Sequence, residues 1–102
     1  MGGIMKAYVV GLLEMHNWDW YEEYYKNTAK LIKKHGGKYV ASGVKPVVLE
    51  GPSTPNAHVI LEFPSIENAR NWYQDPEYKK MIDLRQSGGS SDIFIFPEGT
   101  TN

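Results

Sequence analysis

The chain of 102 residues contains no cysteine, which removes disulfides, thiolate nucleophiles and the common structural zinc sites and leaves the redox compartment open. It also has almost no net charge, with 11 basic residues against 12 acidic ones, so no long-range field draws it to nucleic acid or to anionic lipid. Neither is expected as a partner. No apolar run approaches the ~20 residues that a membrane span needs, and the start lacks the basic and apolar regions of a signal peptide, so a cytoplasmic protein is the default expectation. The histidines number only three and are scattered, so no metal site is expected, and no cofactor is called for. Residues 1–4 read as a scar or disordered start ahead of Met5, and 100–102 as a tail, which leaves 5–99 as one domain.

Apolar patterning is what the chain does have. Lys6 to Glu14 is apolar on both alternating sets, as in a central strand covered on both sides. Asn17 is a good N-cap, with Asp19 behind it in the first turn, so a helix is expected from Trp18 to His35. Its stripe of Tyr21, Tyr24, Thr28, Leu31 or Ile32 and His35 faces a core. Gly36 and Gly37 supply the left-handed stop. Lys38–Ser42 and Val47–Glu50 read as one bulged edge strand or a small hairpin around Pro46. Ala57–Phe63 is the next strand, and Ser65 caps a helix carrying Ile66, Ala69, Trp72 and Tyr73 on one face. Asp75-Pro76 restarts the helical signal, which predicts a break and a second piece with Tyr78, Met81, Ile82 and Arg85 along one side. Ser87–Ser91 reads as a flexible turn, Asp92–Phe96 as the last strand, and the residues from Glu98 onward as frayed.

That order, strand, helix, two strands, helix, strand, predicts an α+β, ferredoxin-like βαββαβ fold: a four-stranded antiparallel sheet with helices on one face. The strands are apolar on both sides, so the bare face is expected to pack on a second copy in a homodimer. Asn17 with Tyr24, Gly36-Gly37, Leu49-Glu50-Gly51, Glu62-Phe63-Pro64-Ser65, Ala69, Trp72-Tyr73, Pro76-Glu77-Tyr78, Arg85 and Glu98-Gly99 together resemble an uncharacterised family of small bacterial proteins, a domain of unknown function within the dimeric α+β barrel superfamily. Two positions depart from that pattern: Asn17 stands where it prefers Asp, and Ser42 where it has arginine, which removes a positive charge. The resemblance implies a homodimer with its sheets face to face. It also implies a superfamily whose cavities serve cofactor-free oxygenases, isomerases, haem-dependent enzymes or plain ligand binding.

Several residues are candidates for chemistry. His58 and Glu62 share a strand face and offer an acid and base, or else a polar patch at a sheet end; roughly 13 Å of strand keeps them from touching. Tyr24 and Arg85 sit on the buried faces of the two helices. Converging beneath the sheet, they would bind a carboxylate or enolate oxygen. The alternative is that Arg85 pairs with a carboxylate such as Glu50 or caps backbone carbonyls and so fixes the fold, since a buried arginine needs a partner either way. His16, in the loop before the first helix, is either part of a site or solvated, whereas His35 reads as a dipole and cap residue. Trp18, Trp20, Tyr21, Tyr25, Trp72, Tyr73 and Tyr78 line a pocket for a flat ligand or fill the core. Lys33 and Lys34 read as a solvated face. The expectation is a homodimer that holds a small aromatic or carbonyl-containing molecule between helices and sheet. As an isomerase or oxygenase without cofactor, it would use His58, Tyr24 and Arg85 in catalysis and His16, Trp18, Glu50, Glu62, Trp72 and Tyr78 in binding; the alternative is a noncatalytic ligand-binding or stress-associated module.

Overall fold

A computed structural model describes residues 5–99; the expectations for 1–4 and 100–102 lie outside the described residues. The chain runs β1 (Ala7–Met15), α1 (Tyr21–Lys34), β2 (Lys38–Val44), β3 (Ala57–Phe63), α2 (Ile66–Gln74), α3 (Pro76–Gln86) and β4 (Gly89–Pro97). The strands form one antiparallel sheet in the order β2-β3-β1-β4, with the helices on one face. This is the ferredoxin-like arrangement expected from the sequence, with its second helix in two pieces.

The alternation in β1 sets the layers. Ala7, Val9, Gly11, Leu13 and Met15 are buried on the helix side, while Tyr8, Val10 and Leu12 are only half-buried on the other. The register carries that split across the sheet: Val10 lies opposite Ile60 on β3 and Phe94 on β4, and Tyr8 opposite Glu62 and Phe96. On the helix side, Val9, Leu31, Ile32, Leu61, Phe63, Ala69, Trp72 and Tyr78 form the main core. The larger of these contribute about 1.5–3 kcal/mol each by leaving water.

Local signals set most of the element ends. Ser65 caps α2 by accepting the Asn68 backbone N–H at 3.0 Å, and Gly36 closes α1 at φ 82°, a conformation that costs glycine little. Asp75 ends α2 and starts α3. Its carboxylate accepts the Glu77 N–H at 2.9 Å and, on the other oxygen, meets His35 Nε2 at 2.8 Å and Lys34 Nζ at 3.0 Å. His35, the expected cap residue, thus ties α1 to the joint between the other two helices. Lys34 does so as well, so it is not simply a solvated lysine. The hydrogen bond to His35, the Glu77 amide and Lys34 hold the Asp75 carboxyl well below the usual carboxylate range.

Four expectations need correction. First, α1 begins at Tyr21, with Trp20 in the cap position and no side-chain cap. Asn17 instead folds back on the Asp19 N–H at 2.8 Å, and Trp18 stacks on Trp20 at 5.5 Å; ring packing here overrides the capping signal. Second, β2 ends at Val44, and the segment 45–55 pairs with no strand among the described residues. Val47 and Leu49 are 87% and 95% exposed, because their β propensity finds no neighbour. The irregularity that does occur lies earlier in the strand, between Tyr39 and Ala41, and not around Pro46. Third, β4 starts at Gly89 rather than Asp92. Gly89 to Ser91 pair with Met15 to Leu13, and a Cβ on Gly89 would come within 2.1 Å of the Glu14 carbonyl oxygen, so glycine permits the pairing there. Finally, Glu98 is not frayed: its N–H donates to the Lys6 carbonyl at 2.8 Å, and its carboxylate accepts the Lys6 N–H at 3.0 Å.

Candidate functional site

Between α1 and the helix-side face of the sheet lies a cavity of about 580 Å³. Its outer part is bordered by exposed rings of the α1 entrance, Trp18, Tyr21 and Tyr25, facing Val44 at the end of the edge strand. The inner part is bordered by buried residues from every layer: Val9 and Leu61 from the sheet, Thr28 and Ile32 from α1, Trp72 from α2, and Tyr78 and Arg85 from α3. The helical spacing that puts Tyr21, Tyr24, Thr28 and Ile32 on one face of α1 makes one wall. The break at Asp75-Pro76 turns α3 so that Tyr78 and Arg85 close the far end.

That far end is polar within an apolar chamber. The Tyr24 and Tyr78 hydroxyls share a hydrogen bond of 2.6 Å, and their rings sit 6.1 Å apart. Trp72 packs on Tyr78 at 4.3 Å. Burial pushes the Tyr24 hydroxyl up, and its hydrogen bond to Tyr78 and the Arg85 charge only partly offset it. Burial pushes Tyr78 up as well, so both phenols are neutral at physiological pH. Burial works against the charge of Arg85, and what raises its pKa is the negative charge that Tyr78 and Tyr24 carry only at high pH, so at physiological pH, with both phenols neutral, that compensation is absent. Arg85 is only 3% exposed. No carboxylate lies within ion-pair distance of it among the described residues, and its Nε has no hydrogen-bond partner. The expected alternative, a pair with Glu50, is therefore not formed; Glu50 is exposed in the segment after β2. Thr28 Oγ1 and Trp72 Nε1 are likewise buried without partners.

The structure brings Tyr24, Arg85, Trp72 and Tyr78 together and places Trp18 at the entrance of the same cavity. His58 borders the cavity too, but its position on β3 pairs with Leu12 and Gly43, on the sheet face away from the helices. Its Nδ1 donates to the Val44 carbonyl at 2.7 Å. Glu62, on that same face, sits between Lys6 at 3.8 Å and Lys38 at 3.6 Å, the polar patch at a sheet end. His16 borders a separate open depression of about 470 Å³ with Glu14, Asn56 and Gln86. No cluster of three or more His, Asp or Glu residues suited to a metal occurs among the described residues.

Sequence reasoning singled out the arginine, the tyrosines and Ser42, where a pocket would lose a positive charge, but gave no site role to Thr28 or Tyr39; Thr28, Tyr39 and Ser42 all line the cavity. For Thr28 the signal was present: a polar residue on the core stripe of an amphipathic helix. Ser42 and Tyr39 border the cavity only because β2 is an edge strand with a bulge, which changes which residues face the helices.

No curated protein matches the sequence of this chain. Among solved structures, a protein of unknown function from Rhodopseudomonas palustris, RPA0582, superposes with a TM-score of 0.74 at 20% identity, covering 97% of this chain and 86% of its own. SnoaB, a cofactor-independent oxygenase from Streptomyces nogalater, gives 0.62 at 15% identity, covering 97% of both chains. A dimeric ferredoxin-like protein of unknown function from Thermobifida fusca gives 0.53 at 8% identity, covering 94% of this chain and 93% of its own. At these identities the likeness establishes the fold. The family is established by sequence: residues 6–99 match the model of the "Domain of unknown function (DUF1330)", and the chain belongs to that family.

Proposed function

We propose that this protein is a homodimer that binds one small aromatic or carbonyl-containing molecule per subunit in the cavity between α1 and the sheet. The observation that carries this reading is the shape and chemistry of that cavity. It is large enough for a bicyclic or tricyclic ligand, edged by aromatic rings, and closed at its far end by a tyrosine pair beside an arginine. The homodimer is supported by the apolar face that the helices leave bare and by the dimeric neighbour from Thermobifida fusca.

The test is a thermal-shift screen of planar aromatic ketones, quinones and phenols. A ligand that binds only the native state raises its melting temperature by an amount that grows with concentration. Quenching of Trp18, Trp20 and Trp72, all of which line the cavity, should accompany the shift. A screen in which no compound moves either signal at millimolar concentration sinks the proposal.

A second reading, an isomerase or cofactor-independent oxygenase, is favoured by one feature. Neutral phenols and a guanidinium at the closed end can stabilise the developing charge on an enol or phenol oxygen where water is excluded. SnoaB, with the same fold, is such an oxygenase. His58, on the opposite sheet face and held by Val44, is poorly placed to take a proton inside the chamber, so in this reading the charge-stabilising work falls to Tyr24, Tyr78 and Arg85. Chromatographic analysis of a bound ligand after incubation with the protein separates catalysis from simple binding, and oxygen consumption in aerated buffer then separates an oxygenase, which takes up oxygen, from an isomerase, which does not.

A further inference from the structure

We propose that the ligand of this cavity is an organic acid, its aromatic body filling the outer part and its carboxylate docking on Arg85 with Thr28 and the Tyr24–Tyr78 pair as additional donors. The inference rests on the cavity being the binding site, and it specifies the charge and orientation of what enters.

Four buried side-chain atoms have no hydrogen-bond partner among the described residues, and three of them, Thr28 Oγ1, Trp72 Nε1 and Arg85 Nε, belong to residues that line this one cavity. Native proteins rarely leave such groups unsatisfied, and where they do the usual explanation is a missing ligand or water. All three can donate. A guanidinium removed from solvent is costly unless an anion meets it, yet the neighbours of Arg85 are phenols that burial keeps neutral.

The tyrosine pair adds one more donor. Two hydroxyls that share a single hydrogen bond have two protons between them, and one proton remains free to point at a third group. A positive charge and several N–H or O–H groups thus lie around the far end of the chamber, with no negative charge to receive them among the described residues. Glu22, the one carboxylate bordering the cavity among the described residues, is an exposed residue at the entrance end of α1. It disfavours an anion lodged there and so helps orient an acid with its carboxylate inward. A carboxylate is the group that answers this arrangement, because it accepts from the planar guanidinium in two parallel bonds and from hydroxyls beside it.

A matched pair of probes tests this by calorimetric titration at neutral pH: 2-naphthoate, and 2-naphthamide, which has the same ring and nearly the same shape but no charge. The acid should bind at least tenfold more tightly than the amide. In Arg85→Met the preference should vanish while the amide binds as before, and Arg85→Lys should keep part of it. Equal affinities for acid and amide in the unaltered protein would overturn the carboxylate assignment and leave the cavity reading intact. Failure of both probes to bind at millimolar concentration would remove the cavity reading itself. An acid preference that survives Arg85→Met would place the anion elsewhere and also overturn the assignment. If Arg85→Met does not fold, Thr28→Val serves at the same end: several-fold weaker acid binding with amide binding unchanged supports the assignment, and no change in either overturns it.

Discussion

The two faces of the sheet carry side chains of similar kind and meet opposite fates. On the helix side, Val9, Leu61 and Phe63 are buried, yet the layer above them does not close: the rings of α1 stand away from the strands and leave a chamber ending in polar groups without partners. On the other side, Val10, Leu12 and Ile60 are half-buried, while Phe94 and Phe96 remain 47% and 51% exposed, with their rings 5.9 Å apart. The charged groups on that face lie toward the ends of the strands, Glu62 with Lys6 and Lys38 at one end and Glu14 and Asp92 at the other. A concave space with unsatisfied donors calls for a molecule of definite chemistry, whereas a broad apolar surface with its charges at the edge calls for area. The first suits a ligand and the second another protein surface.

The covered face of the sheet is thickest at Trp72. Trp72 is buried against Phe63 and Tyr78 and also borders the chamber, so Trp72→Ala should cost about 3–5 kcal/mol in denaturant unfolding. A loss below 1 kcal/mol would mean the core is looser than its burial indicates. The bare face should behave differently. Phe94→Glu with Phe96→Glu should leave the monomer fold intact by circular dichroism while weakening self-association at least a hundredfold in sedimentation equilibrium; a variant that remains dimeric at micromolar concentration would show that the sheet faces are not the interface.

Arg85→Met sharpens the contrast from inside the chamber. Removing a buried charge with no counter-ion should stabilise the empty protein by about 1–3 kcal/mol, and a lower melting temperature would show instead that Arg85 holds the fold. Asp75 gives the pH arm. Its carboxyl is held below the usual carboxylate range in the folded state by His35, the Glu77 amide and Lys34, so the unfolded chain takes up its proton first. The stabilisation is therefore complete above about pH 4, the unfolded value, and is lost as the pH falls toward the folded one. Asp75→Asn should flatten the stability profile of the protein below pH 4, and an unchanged profile would deny the joint its role. The smallest effect expected is from Thr28→Val, which replaces an unsatisfied hydroxyl with a methyl of the same shape and should leave the empty protein unchanged or up to about 1 kcal/mol more stable.

Where the sequence was legible, the signal was local and covalent in origin. Ala57–Phe63, the Ser65 cap and the break at Asp75-Pro76 were all read correctly, because a cap or a proline acts through its own backbone. The convergence of Tyr24 and Arg85 was also visible, since helical spacing on two helices facing one sheet leaves little freedom. What escaped depended on neighbours remote in sequence. The stacking of Trp18 on Trp20 delays the start of α1, and the absence of a partner strand leaves Val47 and Leu49 in solvent. The closeness of Gly89 to Glu14 turns an apparent loop into strand. That Arg85 has no counter-ion is likewise a property of the assembled molecule: only there does Glu50, present in the sequence, prove to be out of reach.

The segment that joins β2 to β3 ends on Asn56, whose side chain accepts the Met15 N–H at 2.9 Å and donates to the Met15 carbonyl at 2.6 Å, while its own N–H donates to the Leu13 carbonyl at 2.9 Å. One residue thus clasps the end of β1 and fixes the register of β3 before the strand begins. Everything between Val44 and that clasp is released from any part in alignment. Because closing a longer loop costs only about 0.6 kcal/mol per doubling of its length, this is the place where the chain can accept an inserted peptide, a label or a whole guest domain without shifting a single strand.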